Sequence, residues 1–271
     1  MLTVELSDHP GQLLTAETQR REATVTQARS AHEKKLRVLR KQRDTARRQH
    51  RWWTYLRAAL AIVRHKRDRP RPVAVQPSDA EEILRAGIAG ERLIAHELGQ
   101  ALPDEWTLLR GYRNARGEID HLLLGPKGLF AIEVKNLNAT VHVNADTWLA
   151  DKYDRYGNHV NQYPIADRGG RSPSEQLNQP ADALASFLYN RGQAVPVRRV
   201  VALAHERSRL GKHANLNVHV AVTANDILRL VRDSPDEISQ ERRKRLQQLI
   251  EQDHEFHNRR PRRPQARRRT R

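Results

Sequence analysis

The sequence predicts a mixed α/β domain with a long N-terminal helix and a basic C-terminal tail. In the middle of the chain the expected order is helix, three or four strands, helix, strand, strand, helix, which is typical of α/β domains. Residues 16–66 contain no glycine or proline and are rich in Ala, Arg, Gln, Glu and Lys, which favours one long helix. Residues 259–271 contain eight arginines and no acidic residue, which indicates a solvated tail.

The charge of the chain is concentrated at its two ends. The net charge is +17, from 49 Lys and Arg against 32 Asp and Glu. Residues 1–72 carry 18 basic and 7 acidic residues, whereas residues 73–258 are nearly neutral. Basic ends suit a polyanion such as nucleic acid, because each neutralised phosphate releases a counterion. The alternative interpretation is that these ends only keep the chain in solution.

Composition divides the chain into five segments. We predict a basic helical extension over 1–72, a linker over 73–78, an α/β domain over 79–233, a helix over 234–258 and a disordered tail over 259–271. The chain has no cysteine, which excludes disulfides and thiolate zinc sites and agrees with a cytoplasmic location. We expect no integral membrane segment, since the best apolar stretch is much shorter than the roughly 20 residues that span a bilayer.

An apolar patch lies near the end of the N-terminal extension, flanked by arginine and lysine. It consists of Trp52, Trp53, Tyr55, Leu56, Leu60 and Val63. The patch could dock on the α/β domain, a partner, a membrane surface or nucleic acid, and docking on protein is the simplest of these. The same helix is a candidate for homo-oligomerisation, although residues 16–49 show no sustained heptad of large apolar residues.

The first helix of the α/β domain carries a candidate acid on its apolar face. Ser78 and Glu81 form a sequence capping box at its start. The apolar stripe consists of Leu84, Ile88, Ala95, Leu98 and Leu102. Glu91 occupies the missing position of this stripe, and Gly87 and Gly90 beside it would allow close approach of another backbone. The alternative is that Glu91 lies at the edge of the stripe and reaches water or an arginine.

The central motif of the chain is a predicted hairpin over Gly117–Lys135. Two apolar runs flank a turn at residues 125–128, where proline and two glycines favour chain reversal. Asp120 lies in the first run, and Glu133 and Lys135 lie in the second. Because side chains alternate along a strand, Glu133 and Lys135 share one face, opposite Phe130, Ile132 and Val134. Such charges in a buried strand are costly unless they are paired, hydrated or bound to metal.

The remaining elements follow from local patterns. Residues 150–171 are polar and without periodicity, so we predict a long loop there. A capping box at 172–175 starts a helix that Pro180 is expected to kink or divide. Further strands are predicted over 106–112, 140–143 with a continuation at Trp148, 195–204 and 218–222, and further helices over 224–232 and 235–257.

The charged hairpin residues suit phosphodiester chemistry. Asp120 and Glu133, on neighbouring strands, could hold one Mg²⁺ or Mn²⁺ with the main-chain oxygen of Val134 as third ligand, since Mg²⁺ keeps waters and substrate oxygens beside a few carboxylates. Lys135 could orient or deprotonate water, or stabilise the transition state, and the residues alone leave these roles open. Glu91 could complete the acidic cluster through water or at a second metal.

Four motifs in a fixed order resemble the nuclease-related domain family (NERD). They are Gly87-x-x-Gly90-Glu91, Gly117-Glu118-Ile119-Asp120-His121, Glu133-Val134-Lys135 and Ser172-Pro173-x-x-Gln176. That family is similar to the PD-(D/E)xK nucleases. The resemblance covers about residues 80–205 and implies a restriction-endonuclease-like core of helix, mixed sheet of three to four strands, helix and strand.

The resemblance also implies roles for individual residues. It implies that Asp120 and Glu133 are metal ligands, that Lys135 is the catalytic lysine and that Glu91 is an accessory acid. Gln176 corresponds to the helix glutamine near the scissile phosphate. The chain departs from the common pattern in having no proline before Asp120 and in having Pro180 close after Gln176, which leaves Gln179 as an alternative. His121 is expected to be structural, because neighbouring strand residues point to opposite faces.

The function implied by this resemblance is that of a hydrolase, a magnesium-dependent nuclease acting on nucleic acid, with DNA as the expected substrate. Two alternatives stay open. In one, Glu133 and Lys135 form only a structural ion pair and Asp120 caps a strand end. In the other, the fold is retained without catalysis, which leaves a nucleic-acid-binding or oligomerising interaction protein.

Overall fold

The structure is a computed structural model that describes residues 1–68, 77–154 and 156–259. It divides into two compact units: Pro10–Arg85 form one, and Met1–His9 with the described residues from Ala86 onward form the other. The predicted linker is described only at residues 77 and 78, and the predicted arginine tail only at Arg259. The predicted domain boundaries therefore stay predictions.

The described residues form six helices and ten strands. The helices are α1 (His9–Arg48), α2 (Trp52–Arg67), α3 (Asp79–Ala101), α4 (Pro173–Asn190), α5 (Ala224–Arg232) and α6 (Gln240–Asn258). The strands are β1 (Leu2–Glu5), β2 (Thr107–Asn114), β3 (Gly117–Gly125), β4 (Gly128–Lys135), β5 (Thr140–Asn144), β6 (Thr147–Tyr153), β7 (His159–Pro164), β8 (Val197–Leu203), β9 (Arg209–Ala214) and β10 (His219–Ala221). Within the described ranges, none of these helices has the length and apolarity needed to cross a bilayer.

The first unit contains α1 and α2. The predicted long N-terminal helix is present as α1, but it ends at Arg48 and does not continue to residue 66. The break lies at His50, whose positive φ of 55° is incompatible with a right-handed helix. The two helices fold back on each other, which brings the rings of His32 and His65 into a stack with centroids 4.0 Å apart. Reversal at a single left-handed residue leaves no periodic signal in the sequence.

The start of α3 also belongs to this unit, and its predicted capping box is half formed. The Ser78 hydroxyl accepts the N–H of Glu81 at 3.2 Å. The Glu81 carboxylate is fully buried and pairs with Arg21 of α1 at 2.8 Å. Pairing with a cation offsets the cost of burying the carboxylate, so Glu81 joins α3 to α1.

The second unit is built around a six-stranded mixed sheet of order β1-β2-β3-β4-β8-β10. β2, β3 and β4 are antiparallel neighbours, whereas β8 lies parallel to β4, and β10 lies parallel to β8. With α3 before β2, and α4 between β4 and β8, this gives the predicted order of helix, three strands, helix and strand. The predicted nuclease-like α/β core is thereby confirmed.

Two hydrophobic clusters cover the two faces of this sheet. Ile94 of α3 and Ile227 of α5 pack in the cluster that contains Phe130, Ile132 and Val134 of β4. On the other face of the sheet, α4 packs against β4, and α6 packs against β2. Because side chains alternate along β4, its charged residues extend from the face covered by α4.

A second sheet has the order β7-β6-β5-β9. The predicted loop over 150–171 is wrong where residues 150–153 belong to β6 and residues 159–164 form β7. All six residues of β7 are exposed, so this strand lacks the apolar alternation on which a strand prediction depends. The predicted strand over 140–143 is present as β5.

The helix α4 begins at its predicted capping box. Ser172 accepts the N–H of Glu175 at 3.3 Å, and the Glu175 carboxylate accepts the N–H of Ser172 at 2.9 Å. The helix continues through Pro180 and is not divided there. Proline cannot donate to the Gln176 carbonyl, but the Pro180 carbonyl accepts a bond of 2.8 Å from the Asn114 amide, which supports the helix at this point.

Gly87 and Gly90 of α3 are expected to respond oppositely to alanine. A Cβ at Gly90 would lie 2.8 Å from the Cβ of Asn136, whereas nothing lies within 4 Å of a Cβ at Gly87. The close approach predicted for both glycines is therefore found at Gly90 alone. We expect Gly90→Ala to lower the free energy of unfolding by about 1–3 kcal/mol and Gly87→Ala to raise it by about 0.5–1 kcal/mol. Urea unfolding measures both values, and equal effects of the two changes would contradict this assignment.

Candidate active site

The candidate site lies where β3 and β4 separate. Their pairing runs from Gly125 opposite Gly128 to His121 opposite Ile132, and the next residue on each strand is Asp120 or Glu133. At this point Asp120 Oδ2 accepts the N–H of Val134 at 2.7 Å. A side-chain oxygen thus takes the place that a carbonyl oxygen holds in a β-ladder. The Asp120 carboxylate is thereby fixed beside the Glu133-Val134-Lys135 segment.

Lys135 connects the strand residues to α4. Its Nζ donates to Glu133 Oε1 at 2.6 Å and to Gln176 Oε1 at 2.9 Å. Glu133 is 6% exposed, so this ion pair lies largely out of water. The Gln176 amide nitrogen donates to the Arg171 carbonyl at 2.7 Å, which leaves the amide oxygen directed at Lys135. The structure therefore brings Asp120, Glu133, Lys135 and Gln176 together, and it leaves the alternative Gln179 exposed on the surface of α4.

A turn before α4 holds the Arg171 carbonyl in place, and sequence reasoning missed it. Asp167 Oδ1 accepts the N–H of Gly169 at 2.8 Å and the N–H of Arg171 at 2.9 Å. Gly170 has a φ of +80°, a conformation that favours glycine. The sequence Asp-Arg-Gly-Gly-Arg at residues 167–171 could have indicated this turn, because Asp and Gly are common in turns. It directly precedes the capping box of α4.

Glu91 is held near the site through its backbone. His121 Nε2 lies 3.1 Å from the Glu91 carbonyl. A carbonyl oxygen only accepts, so Nε2 carries the proton. Burial lowers the pKa of His121 to about 4, which keeps the ring neutral near pH 7. The contact agrees with the structural part expected of His121.

Burial and neighbouring charges shift the pKa values of Glu91, Asp120 and Lys135. Burial raises the pKa of Glu91 to about 7, with Arg110 opposing the rise and Glu133 adding to it. Burial also raises the pKa of Asp120 well above its usual range, and the charges of Glu133 and Glu91 raise it further. Burial alone would lower the pKa of Lys135, but Glu133 and Asp120 hold it above its usual range. The site therefore concentrates more negative charge than Lys135 neutralises.

Asp120 and Glu133 fit a small, hard cation. In the ranges that the structure describes, His, Asp and Glu side chains form no group of three or more that could bind one metal ion. A metal site here would consist of these two carboxylates and the main-chain oxygen of Val134. Magnesium accepts such a set, because it retains waters and substrate oxygens as its other ligands. The mutual repulsion of the carboxylates is what a bound cation would relieve.

This fold and this cluster together define a nuclease-like α/β domain, with Asp and Glu-x-Lys on neighbouring strands and a glutamine on the following helix. The family model described as nuclease-related domain, NERD, matches residues 86–204. The match begins within α3, ends directly after β8 and includes all five candidate site residues. No curated protein and no solved structure matches the chain significantly.

Glu91 is expected to make the protein less stable as the pH rises. Its pKa is about 7 in the folded protein against an ordinary 4.5. A carboxyl group whose pKa is raised on folding stabilises the folded state below its ordinary pKa and loses this effect as the pH rises through the folded value. In EDTA, the Tm of the wild type should therefore fall relative to the Tm of Glu91→Gln between about pH 5 and about pH 8.

The control for this measurement is Glu97→Gln, at an exposed position of the same helix. Its Tm should follow that of the wild type at every pH. The variants must be compared with each other because His121 also makes stability depend on pH. Its pKa is lowered from 6.5 to about 4, so its contribution to stability is lost as the pH falls, opposite to that of Glu91. Parallel curves for the wild type and Glu91→Gln would show that Glu91 does not titrate as described.

Proposed function

We propose that the protein is a metal-dependent nuclease that hydrolyses phosphodiester bonds in DNA. The match of residues 86–204 to the family model of the nuclease-related domain supports a nuclease-related function. The observation that carries the finer proposal is the placement of Asp120 and Glu133 around the point where β3 and β4 separate, with Lys135 Nζ 2.6 Å from Glu133. Two carboxylates can hold a metal ion for hydrolysis of a phosphodiester, and an ammonium beside them can stabilise the negative charge that develops on the phosphate.

Asp120, Glu133 and the main-chain oxygen of Val134 would hold Mg²⁺ or Mn²⁺. A bound cation of this kind neutralises phosphate charge and generates a nucleophile from water. The protein contributes a fixed arrangement of oxygen donors, because the bond from Val134 N–H holds the Asp120 carboxylate at 2.7 Å. Glu91 adds a further acid within electrostatic range of both carboxylates, because Glu133 raises the pKa of Glu91 and Glu91 raises the pKa of Asp120.

Lys135 supplies positive charge beside these donors. Its raised pKa favours the ammonium form, which suits stabilising negative charge on a phosphate better than removing a proton from water. Among the roles left open by the sequence, this supports electrostatic stabilisation. Two hydrogen bonds, to Glu133 and to Gln176, fix the direction of the ammonium group. Fixed charge of this kind needs no reorganisation during the reaction.

The basic helical unit supports nucleic acid as the partner. Residues 10–68 contain 16 Lys and Arg against 5 Asp and Glu. Charge of this sign raises affinity for phosphate without reading bases, so we propose that substrate structure matters more than base sequence. The absence of cysteine suits the cytoplasm as the place of action.

Cleavage of plasmid DNA by the purified protein is expected in Mg²⁺ or Mn²⁺ and not in EDTA. Asp120→Ala/Glu133→Ala should lose the metal donors, and Lys135→Ala should lose the fixed positive charge. Each change is expected to lower the cleavage rate by about 100-fold or more, with DNA binding retained. The matched control is Lys152→Ala, which removes an exposed lysine from β6 and should leave cleavage unchanged.

Circular dichroism and Tm measurements check that each variant is folded. Full cleavage by Lys135→Ala would remove this residue from the mechanism. A different outcome is that the wild type cuts no DNA or RNA, although both the wild type and the variants bind nucleic acid with a steep salt dependence. The domain would then be a binding module on a nuclease-like fold, and the proposal would fail.

Gln176 and Gln179 form a second matched pair. Gln176→Ala removes the 2.9 Å hydrogen bond that holds Lys135, so the cleavage rate is expected to fall by about 10- to 100-fold. Gln179 is exposed, and Gln179→Ala should leave the rate unchanged. Rates measured on the same plasmid at saturating metal distinguish the two. Equal rates would show that the amide of Gln176 does not position Lys135.

A further inference from the structure

The outer face of α2 is a continuous apolar surface that is exposed to solvent. We call it the α2 stripe, and it consists of Trp52, Trp53, Leu56, Leu60 and Val63, which are 63%, 83%, 56%, 72% and 64% exposed. Their spacing places them on one side of a helix. The buried residues of α2, Ala58 and Ile62, lie on the opposite side. The stripe is thus separate from the face of α2 that packs within its own unit.

Cations border the α2 stripe. Arg57 and Arg64 follow one side of it along the helix, Lys66 lies on the other side, and all three are exposed. Between its first and last residues, α2 contains no Asp or Glu. The surface therefore combines two tryptophans and three aliphatic side chains with unbalanced positive charge.

Charge and side-chain type distinguish the partners that such a surface could bind. A second copy would bring the same cations together without acidic residues of α2 to pair with them. Nucleic acid would match the charge, but Leu56, Leu60 and Val63 offer no ring on which a base can stack. An anionic bilayer matches both properties, because Trp prefers the membrane interface, aliphatic groups enter the acyl boundary and cations meet the head groups.

We infer that the α2 stripe binds the surface of a membrane that contains anionic lipids. α2 lies along the bilayer plane in this arrangement, with Leu56 and Leu60 directed into the acyl boundary and Arg57 and Arg64 at the head groups. The helix has 16 residues, which is enough for an interfacial helix and too few to span the bilayer. This inference is independent of the proposed nuclease activity.

Vesicles provide the test, with the full chain as the protein. Vesicles of phosphatidylcholine with phosphatidylserine are expected to sediment the protein, and vesicles of phosphatidylcholine alone should bind it about tenfold or more weakly. Fluorescence gives a second readout, because Trp52 and Trp53 are exposed whereas Trp106 and Trp148 are 4% and 2% exposed. Emission is expected to shift to shorter wavelength on binding, since the two exposed indoles leave water.

Two variants with equal apolar loss sharpen this test. Leu60→Gln, at a position 72% exposed, is expected to weaken vesicle binding by about tenfold. Ile83→Gln, at a position 71% exposed in α3, removes a side chain of the same size away from the stripe and should bind like the wild type. Urea unfolding confirms that both variants are folded.

Several outcomes would overturn the inference. It fails if anionic vesicles do not bind the protein, if Leu60→Gln binds as well as Ile83→Gln, or if the emission does not shift. Sedimentation equilibrium and a DNA-binding titration of Leu60→Gln identify the other partners. If the wild type does not bind vesicles and Leu60→Gln loses self-association, the stripe binds a second copy. If the wild type does not bind vesicles and Leu60→Gln loses affinity for DNA, the stripe binds nucleic acid.

Discussion

The bond between the Asp120 carboxylate and the Val134 N–H, 2.7 Å long, holds β3 and β4 together where their backbone ladder ends. The separation of the strands leaves room at this point for charged side chains inside an otherwise apolar sheet. The same bond keeps Asp120 next to Glu133, although two carboxylates repel each other. On its other side the end of β4 pairs with β8 through Lys135, and the strand held between these contacts places Lys135 against Glu133 and Gln176.

Such a cluster is unfavourable by itself, and the surrounding elements compensate for it. Leu122, Leu124 and Leu129 lie in fully buried positions of β3 and β4, so the sheet is stable where its interior is apolar. α3 and α4 are held close to the charges by polar contacts, between His121 and the Glu91 carbonyl on one side and between Lys135 and the Gln176 amide oxygen on the other. Burial raises the pKa values of Glu91 and Asp120, and neighbouring carboxylates raise them further, so the cost of ionising these groups is only partly compensated. Natural sites of this kind lower the stability of the fold, because their charged groups are fixed in advance in one arrangement.

Much of this architecture could be predicted from local sequence. The β3–β4 hairpin, the capping box of α4 and the order of elements around the main sheet follow from turn residues, caps and apolar periodicity. The break at His50 and the strand β7 could not be predicted, because one left-handed residue and six exposed residues leave no periodic signal. The continuity of α4 at Pro180 depends on Asn114, which is distant in sequence. For the same reason the sequence left Gln176 and Gln179 as alternatives, since the choice depends on how α4 is rotated against β4.

The short strand β1 pairs in parallel with β2, from Leu2 opposite Thr107 to Glu5 opposite Arg110, and α1 begins only four residues after β1 ends. Along the sequence, the helical unit is therefore inserted between the edge strand β1 and the other strands of the sheet. A protease that cut between α1 and α2 would leave two fragments that each contain part of the same sheet. A fragment starting at α3 would expose the backbone edge of β2 that β1 covers, and an uncovered edge is a site for pairing with other chains. The helices and the nuclease-related domain are thus difficult to separate cleanly, and shortening the chain from its first residue removes sheet before it removes helix.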